Sequence, residues 1–399
     1  MRKLSLLSAS VILALTGISA NAAQYNITNS GHWILTNKDV GIQKAFKIEQ
    51  KVLNGGKQDG VKVLTINNGV MDVTLVPTRG MDIYKVKSGK ITLGWHSPVQ
   101  QIVNPTFINL QSRNGVGWLE GFNEMMVRCG YEWTGHPGID KGVLLTLHGR
   151  ADYTPATQVI VKVDQKAPYA IHIKGELLEQ MFKKVNFKTW TELTVIPGQK
   201  SFSIHDSLTN QGDYAHEYQV IYHSNFAQPL LEKGAKIVAP VRQISPFNNY
   251  AKKGLKDWQT YLGPTRDYDE TVYNIYPYAN KKGNTLAVLH NAKGNLGVAI
   301  HYNVKELPVL GLWKNTDTLR QGYVTGIEPG TSFSYNRKYQ RVLGLVPTIA
   351  AHQTKHFDLT YILLDNKAAV NQQIKEVKAI QGSQKTHLRK NPLVKGKNL

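Results

Sequence analysis

Residues 60–76 read GVKVLTINNGVMDVTLV. Two runs rich in valine, leucine, isoleucine and threonine flank an Asn68-Gly69 pair, the strongest short-range signal for a tight β-hairpin. The same pattern returns in TQVIVKVDQKAPYAIHIKGEL (157–177), in KTWTELTVIPGQKSFSIHDSLTN (188–210) and in NTLAVLHNAKGNLGVAIHY (284–302). Hairpins repeated at this spacing predict an all-β chain folded as a large antiparallel sandwich.

Two stretches break the pattern. In GVGWLEGFNEMMVRCG (115–130), Trp118, Leu119, Phe122, Met125, Met126 and Cys129 recur at helical spacing and predict a short inserted helix packed on a sheet. In NKAAVNQQIKEVKAIQG (366–382), Asn366 is placed to cap a C-terminal helix, Val370, Ile374 and Val377 form its apolar stripe, and Gly382 closes it. No fixed-period repeat and no long linker divides the chain. Residues 23–380 are therefore expected to form a single domain, and residues 381–399 a flexible basic tail.

The first residues give the charged start, short apolar run (4–18) and small-residue exit (Ala20-Asn21-Ala22) of a secretory signal peptide. The run is too short for a membrane span, so a periplasmic or secreted protein without an integral membrane span is expected. Cys129 is the only cysteine, which rules out an intrachain disulfide. The formal charge of +20 is spread along the chain, and acidic saccharide is the anionic partner it suits best. Nucleic-acid motifs are missing, so no nucleic-acid partner is expected.

Thirteen histidines invite a metal site, but their spacing offers none of the usual ligand patterns. His352 and His356 stand four apart at the entry to an apparent strand, where that spacing need not converge. No metal or cofactor is expected. A nucleophile elbow is missing, and Cys129 reads as a core residue. Glu120, Glu124, Asp206, Asp269 and Glu328 are available for paired-carboxylate chemistry, but sequence does not pair them.

Three short motifs are sharper. LTLHGRADY (145–153) sets His148 before a glycine at a strand end, and QVIYHSNFAQPLL (219–231) sets His223 in a β run beside Asn225. GYVTGIEPGTS (322–332) sets Glu328 where a strand is expected to give way to a Pro-Gly turn, at a strand end where its carboxylate is either simply solvated or held in a cleft. A carboxylate and an imidazole are suited to moving protons near neutral pH.

TRGMDI (78–83), GWHSP (94–98), RCGYEWTGHPG (128–138), LHGR, YHSNF, GLWK (311–314) and GIEPG, in this order, resemble the aldose 1-epimerase, or galactose mutarotase-like, superfamily. The resemblance spans roughly residues 60–350. It implies a supersandwich with a sugar cleft on one concave sheet, Glu328 as base on the anomeric hydroxyl, His223 as acid on the ring oxygen, and His148 as a supporting hydrogen-bonding group. It also implies a substrate-binding role for Arg79. Asn225, Trp313 and Lys314 are further candidates: an indole face stacks on sugar C–H groups, and a lysine meets a carboxylate or sulfate. The chain departs from the better-known mutarotases in reading HSNF where they have HxYFN, and their further sugar-binding aspartate has no clear counterpart.

The functional expectation is an exported aldose 1-epimerase-like protein acting on a sugar or sugar acid. The alternatives are a carbohydrate-binding protein without turnover and a lyase or hydrolase of acidic glycans. If the leader is cleaved after Ala22, N-terminal sequencing of protein recovered from the periplasm or medium will begin at Ala23; a retained Met1 refutes the leader.

Overall fold

A computed structural model describes residues 22–394. Two large sheets face one another. One has nine strands, from Ala22–Asn26 through the long Ile171–Gln180, Asn186–Val195, Ser201–Asn210 and Thr354–Leu364 to Lys236–Val238. The other has 13 strands, and its central run is Asp82–Ser88, Met126–Cys129, Ile221–Phe226, Val324–Gly330, Val309–Asn315 and Thr271–Pro277. Neighbours in that run are antiparallel.

The hairpins read from the sequence are all present. Lys62–Asn67 pairs with Asp72–Val76, Gln158–Asp164 with Ile171–Gln180, Asn186–Val195 with Ser201–Asn210, and Asn284–His290 with Gly297–Asn303. Along Ile171–Gln180 burial alternates residue by residue, because successive side chains point to opposite faces of a sheet with one face in the core and one in water. The core between the sheets is built from residues such as Ile48, Leu64, Ile83, Phe187, Ile204 and Leu359.

The larger sheet differs at its centre. Every residue of Ile221–Phe226 and of Val324–Gly330 is buried. The reason is a second, smaller apolar layer on the outer face, where Trp118, Phe122 and Leu147 pack on Val127, Cys129 and Ile221. The long connection between Leu93 and Met126 thus roofs the sheet and makes a half-open sheet locally three layers thick.

Three expectations need correction. The helix expected over residues 115–130 contracts to a 3₁₀ turn at Gly117–Glu120, and Met126–Cys129 is a strand. Apolar residues three and four apart arise here from a turn followed by a fully buried strand, which imitates helical spacing. Pro329-Gly330 is not a turn: the strand continues through both residues, with Leu310 opposite Pro329. The tail is also partly ordered. After the predicted helix Lys367–Gln381, whose first turn is capped by Asn366 accepting from the Ala369 N–H at 2.9 Å, His387–Leu388 pairs in parallel with Val241–Pro246 and Val394 is buried. Free edge-strand hydrogen bonds give the chain a reason to stay there. The leader lies outside the described residues except for Ala22, which opens the first strand. Among the described residues no helix is long and apolar enough to cross a membrane.

Candidate active site

His223 and Glu328 come from adjacent antiparallel strands of the larger sheet. In that register Ser224 lies opposite Ile327, which leaves His223 and Glu328 both on the outer face. Their neighbours in sequence point inward and fix the strand from behind: Tyr222 Oη donates to Asp206 at 2.8 Å, and Ser224 shares a 2.7 Å hydrogen bond with Tyr361. Asp206 and Tyr361 belong to the opposite sheet.

Glu328 is not at a solvated rim. It is only 2% exposed, and its carboxylate stands 3.1 Å from His223 Nε2. The two groups meet without the alignment of a hydrogen bond, so Glu328 Oε1 is left without a hydrogen-bond partner; His223 Nδ1, on the other side of the ring, has none either. Ser334 Oγ donates to the other carboxylate oxygen at 3.3 Å. Burial pushes the Glu328 pKa above its ordinary 4.5, opposed by His223 and Ser334. Room for the pair depends on two glycines of neighbouring strand positions. A Cβ on Gly326 would stand 2.6 Å from Glu328 Oε1, and one on Gly311 would stand 2.9 Å from Oε2.

His148 closes the group from a different element. Its φ of 58° is left-handed, a conformation that costs a non-glycine residue about 1–3 kcal/mol and clusters at functional sites. Its ring centroid lies 5.5 Å from that of His223 and 4.9 Å from Trp118. Burial, reinforced by the neighbouring His223 and His136, depresses its pKa well below 6.5, so it is a neutral imidazole at physiological pH. Phe122 and Trp313 flank His223, with centroids at 5.4 and 5.6 Å.

These side chains line one cavity of about 240 Å³. The structure therefore brings together four of the seven residues singled out in the sequence: Glu328, His223, His148 and Trp313. It does not bring the other three there. Arg79 is fully buried away from the cavity, ion-paired with Glu124 and with Asp152 at 2.8 Å, and stacked over the Tyr153 ring at 4.4 Å. Asn225 is also buried, and its amide donates to the Glu124 carbonyl at 3.0 Å. Lys314 follows Trp313 on its strand and so faces the other way. Its ammonium donates to the carbonyls of Trp258 and Thr260, and burial pulls its pKa down to about 8.

Sequence reasoning did not find His136, Glu270 and Ser334 in the lining. His136 was visible within RCGYEWTGHPG, but nothing in that motif shows which way its ring turns. Glu270 precedes a strand in an acidic loop that gives no pattern to read. It is exposed at the cavity mouth and accepts a hydrogen bond from Trp313 Nε1 at 2.6 Å. Among the described residues no group of three or more His, Cys, Asp or Glu side chains is arranged to hold a metal.

An all-β supersandwich of the galactose mutarotase-like class, carrying a histidine–glutamate pocket on its larger sheet, is what the fold and the cavity define. The chain belongs to the DUF4432 family, a domain of unknown function, whose profile matches residues 58–363. A solved structure from Klebsiella pneumoniae, described as a "putative aldose 1-epimerase", is 51% identical, covers 94% of this chain and 100% of its own, and superposes with a TM-score of 0.92. A galactose mutarotase-like protein from Clostridium acetobutylicum shares the fold at 14% identity, covering 84% of this chain and 100% of its own with a TM-score of 0.55. No curated protein matches the chain.

The burial of Arg79 predicts a stability effect in place of a binding one. Arg79→Leu leaves Glu124 and Asp152 without their cation and is expected to cost about 3–5 kcal/mol in denaturant unfolding. Unchanged stability with a raised KM would instead return Arg79 to a substrate-binding role.

Proposed function

We propose that the protein interconverts the anomers of an aldose by general acid–base ring opening, with Glu328 as base and His223 as acid. The observation that supports this best is the convergence of Glu328, His223 and His148, from three separate stretches of sequence, on one small cavity.

Opening a cyclic hemiacetal requires a proton to leave the C1 hydroxyl and another to reach the ring oxygen as the C1–O bond breaks. Glu328 as carboxylate takes the first; His223 as imidazolium gives the second. The pair then stands as carboxylic acid and neutral imidazole, so its total proton count is unchanged. Rotation about C1–C2 and reversal of both transfers close the ring as the other anomer. This reading is supported by the 3.1 Å approach of His223 Nε2 to Glu328 on the pocket side of the sheet and by Glu328 Oε1, which has no hydrogen-bond partner and is available to accept from a sugar hydroxyl. His148, neutral by burial, serves as a hydrogen-bonding support and not as a second cation. Trp313 offers an indole face, and Glu270 an acceptor for a ring hydroxyl at the mouth. We place this activity outside the cytoplasm on the strength of the expected leader.

The binding-only alternative is kept apart by turnover. The lyase or hydrolase alternative for acidic glycans has less support, because among the described residues no lysine or arginine lines the cavity.

Anomer exchange measured by two-dimensional NMR on a panel of aldoses is expected to accelerate with the protein, and Glu328→Gln to lower kcat by about 10²–10⁴-fold with the fold retained. An unchanged rate in that variant removes Glu328 from the chemistry. The pH profile carries a second expectation. Because the base must be ionised and burial raises its pKa, kcat/KM should fall on acidification along a limb centred above 4.5. A limb at or below that value contradicts a buried base.

A further inference from the structure

A pocket that opens aldose rings also restricts which aldose it can accept. We infer, building on the epimerase reading of this same cavity, that the preferred substrate is a neutral, hydroxyl-poor aldose: a 6-deoxyhexose or an aldopentose, in preference to a uronate or a fully hydroxylated hexose.

The first argument is charge. The ionisable side chains of the lining are histidines and the two carboxylates Glu270 and Glu328. The cations that a sugar acid would need are committed elsewhere: Arg79 to Glu124 and Asp152, Lys314 to two backbone carbonyls on the far side of the sheet. Among the described residues, a substrate carboxylate would meet the Glu270 and Glu328 carboxylates and no guanidinium or ammonium in the lining.

The second argument is polarity. One wall is aliphatic, formed by Val116, Leu119, Pro137 and Leu147, and Val272 adds a further apolar surface. Among the described residues no asparagine or glutamine, the side chains that bridge neighbouring hydroxyls, is in the lining. Much of the polar capacity that is present is already used. His136 Nδ1 meets the Ser334 carbonyl, Ser334 Oγ donates to Glu328, and one oxygen of Glu270 accepts from Trp313, which leaves the other for a single hydroxyl at the mouth. His223 and Glu328 are reserved for the reacting atoms. A hydroxyl pressed against the aliphatic wall gives up water and receives no partner. A hydrogen or a methyl at that position has nothing to lose.

The third argument is size. The cavity, about 240 Å³, lies below the range of roughly 300–1,000 Å³ typical of sites for drug-sized ligands. It suits a single ring more than the end of an oligosaccharide. The magnitude of discrimination follows from chemistry: an apolar pocket rejects an added hydroxyl by only about 10²-fold. Exclusion of a hexose is therefore a matter of degree, whereas exclusion of a uronate should be near complete.

The test compares matched sugars differing at one carbon: fucose, galactose and galacturonate; quinovose, xylose and glucose. Exchange NMR at equal concentrations is expected to give kcat/KM about 10- to 100-fold higher for the deoxy or pentose member, with no acceleration for the uronate. Leu147→Asn, which offers the wall a hydrogen-bonding partner, should narrow the ratio severalfold. A hexose or uronate handled as well as its deoxy partner overturns the inference while leaving epimerase chemistry intact, and so does a ratio indifferent to Leu147→Asn. Should no aldose be accelerated, the epimerase reading falls. Affinities of the same sugars by calorimetry then decide separately, with tighter binding of the hydroxyl-poor members sustaining the inference and the reverse order ending it.

Discussion

The guanidinium of Arg128 joins the two sheets at their centre, and the site depends on it. From the larger sheet it reaches across the core to Asp206 at 2.6 Å and to Thr191 at 2.6 Å, both on the smaller sheet, while turning back to Asp82 at 3.2 Å. Asp206 then accepts from Tyr222, the residue before His223. A charge buried this deeply is costly to isolate, so these partners are bound to one geometry. The strand carrying the imidazole inherits that geometry. Polar bonding inside the core, which is expensive anywhere else, here sets the orientation of a side chain on the opposite face of the same strand.

Beside this clamp lies the second buried cation, Arg79. Four carboxylates, Asp82, Glu124, Asp152 and Asp206, share two guanidiniums. Burial pushes Glu124 up to about 7, and burial together with Asp152 holds Asp82 well above the ordinary carboxylate range. This polar layer supports the roof and the sheet from below, since the Glu124 backbone carbonyl receives the side chains of both Trp95 and Asn225. Sandwich, clamp and pocket thus form one continuous construction.

How much of this could be read from the chain alone varies with the physics involved. Hairpins were legible because alternation and an Asn-Gly turn are local. The C-terminal helix was legible because cap, stripe and closing glycine lie within one short window. Glu328, His223 and His148 could be grouped from motif order, which stands in for three-dimensional proximity. Lys314 was misplaced because residue type says what a side chain can bind, but only register says which face it occupies; Arg79, in a turn, and Asn225, on the face of His223, were misplaced because the buried carboxylates and carbonyl that claim them are distant in sequence. Lys314 is one residue from Trp313, and that single step carries it to the far side of the sheet. The helix expected near Met126 failed because a strand buried on both faces loses its alternation. Glu270 was invisible, since a solvated loop carries no periodicity at all.

Gly311 and Gly326 leave an empty space around the carboxylate, and that emptiness separates folding from turnover. Both glycines join the strand ladders through their backbone alone, yet a methyl at either place would stand within 3 Å of a Glu328 oxygen. On the proposed epimerase reading, a chain of this architecture can therefore lose turnover in a single mutational step at either position. A protein of this architecture that has become a receptor or sensor should be recognisable by a side chain at one of these two positions.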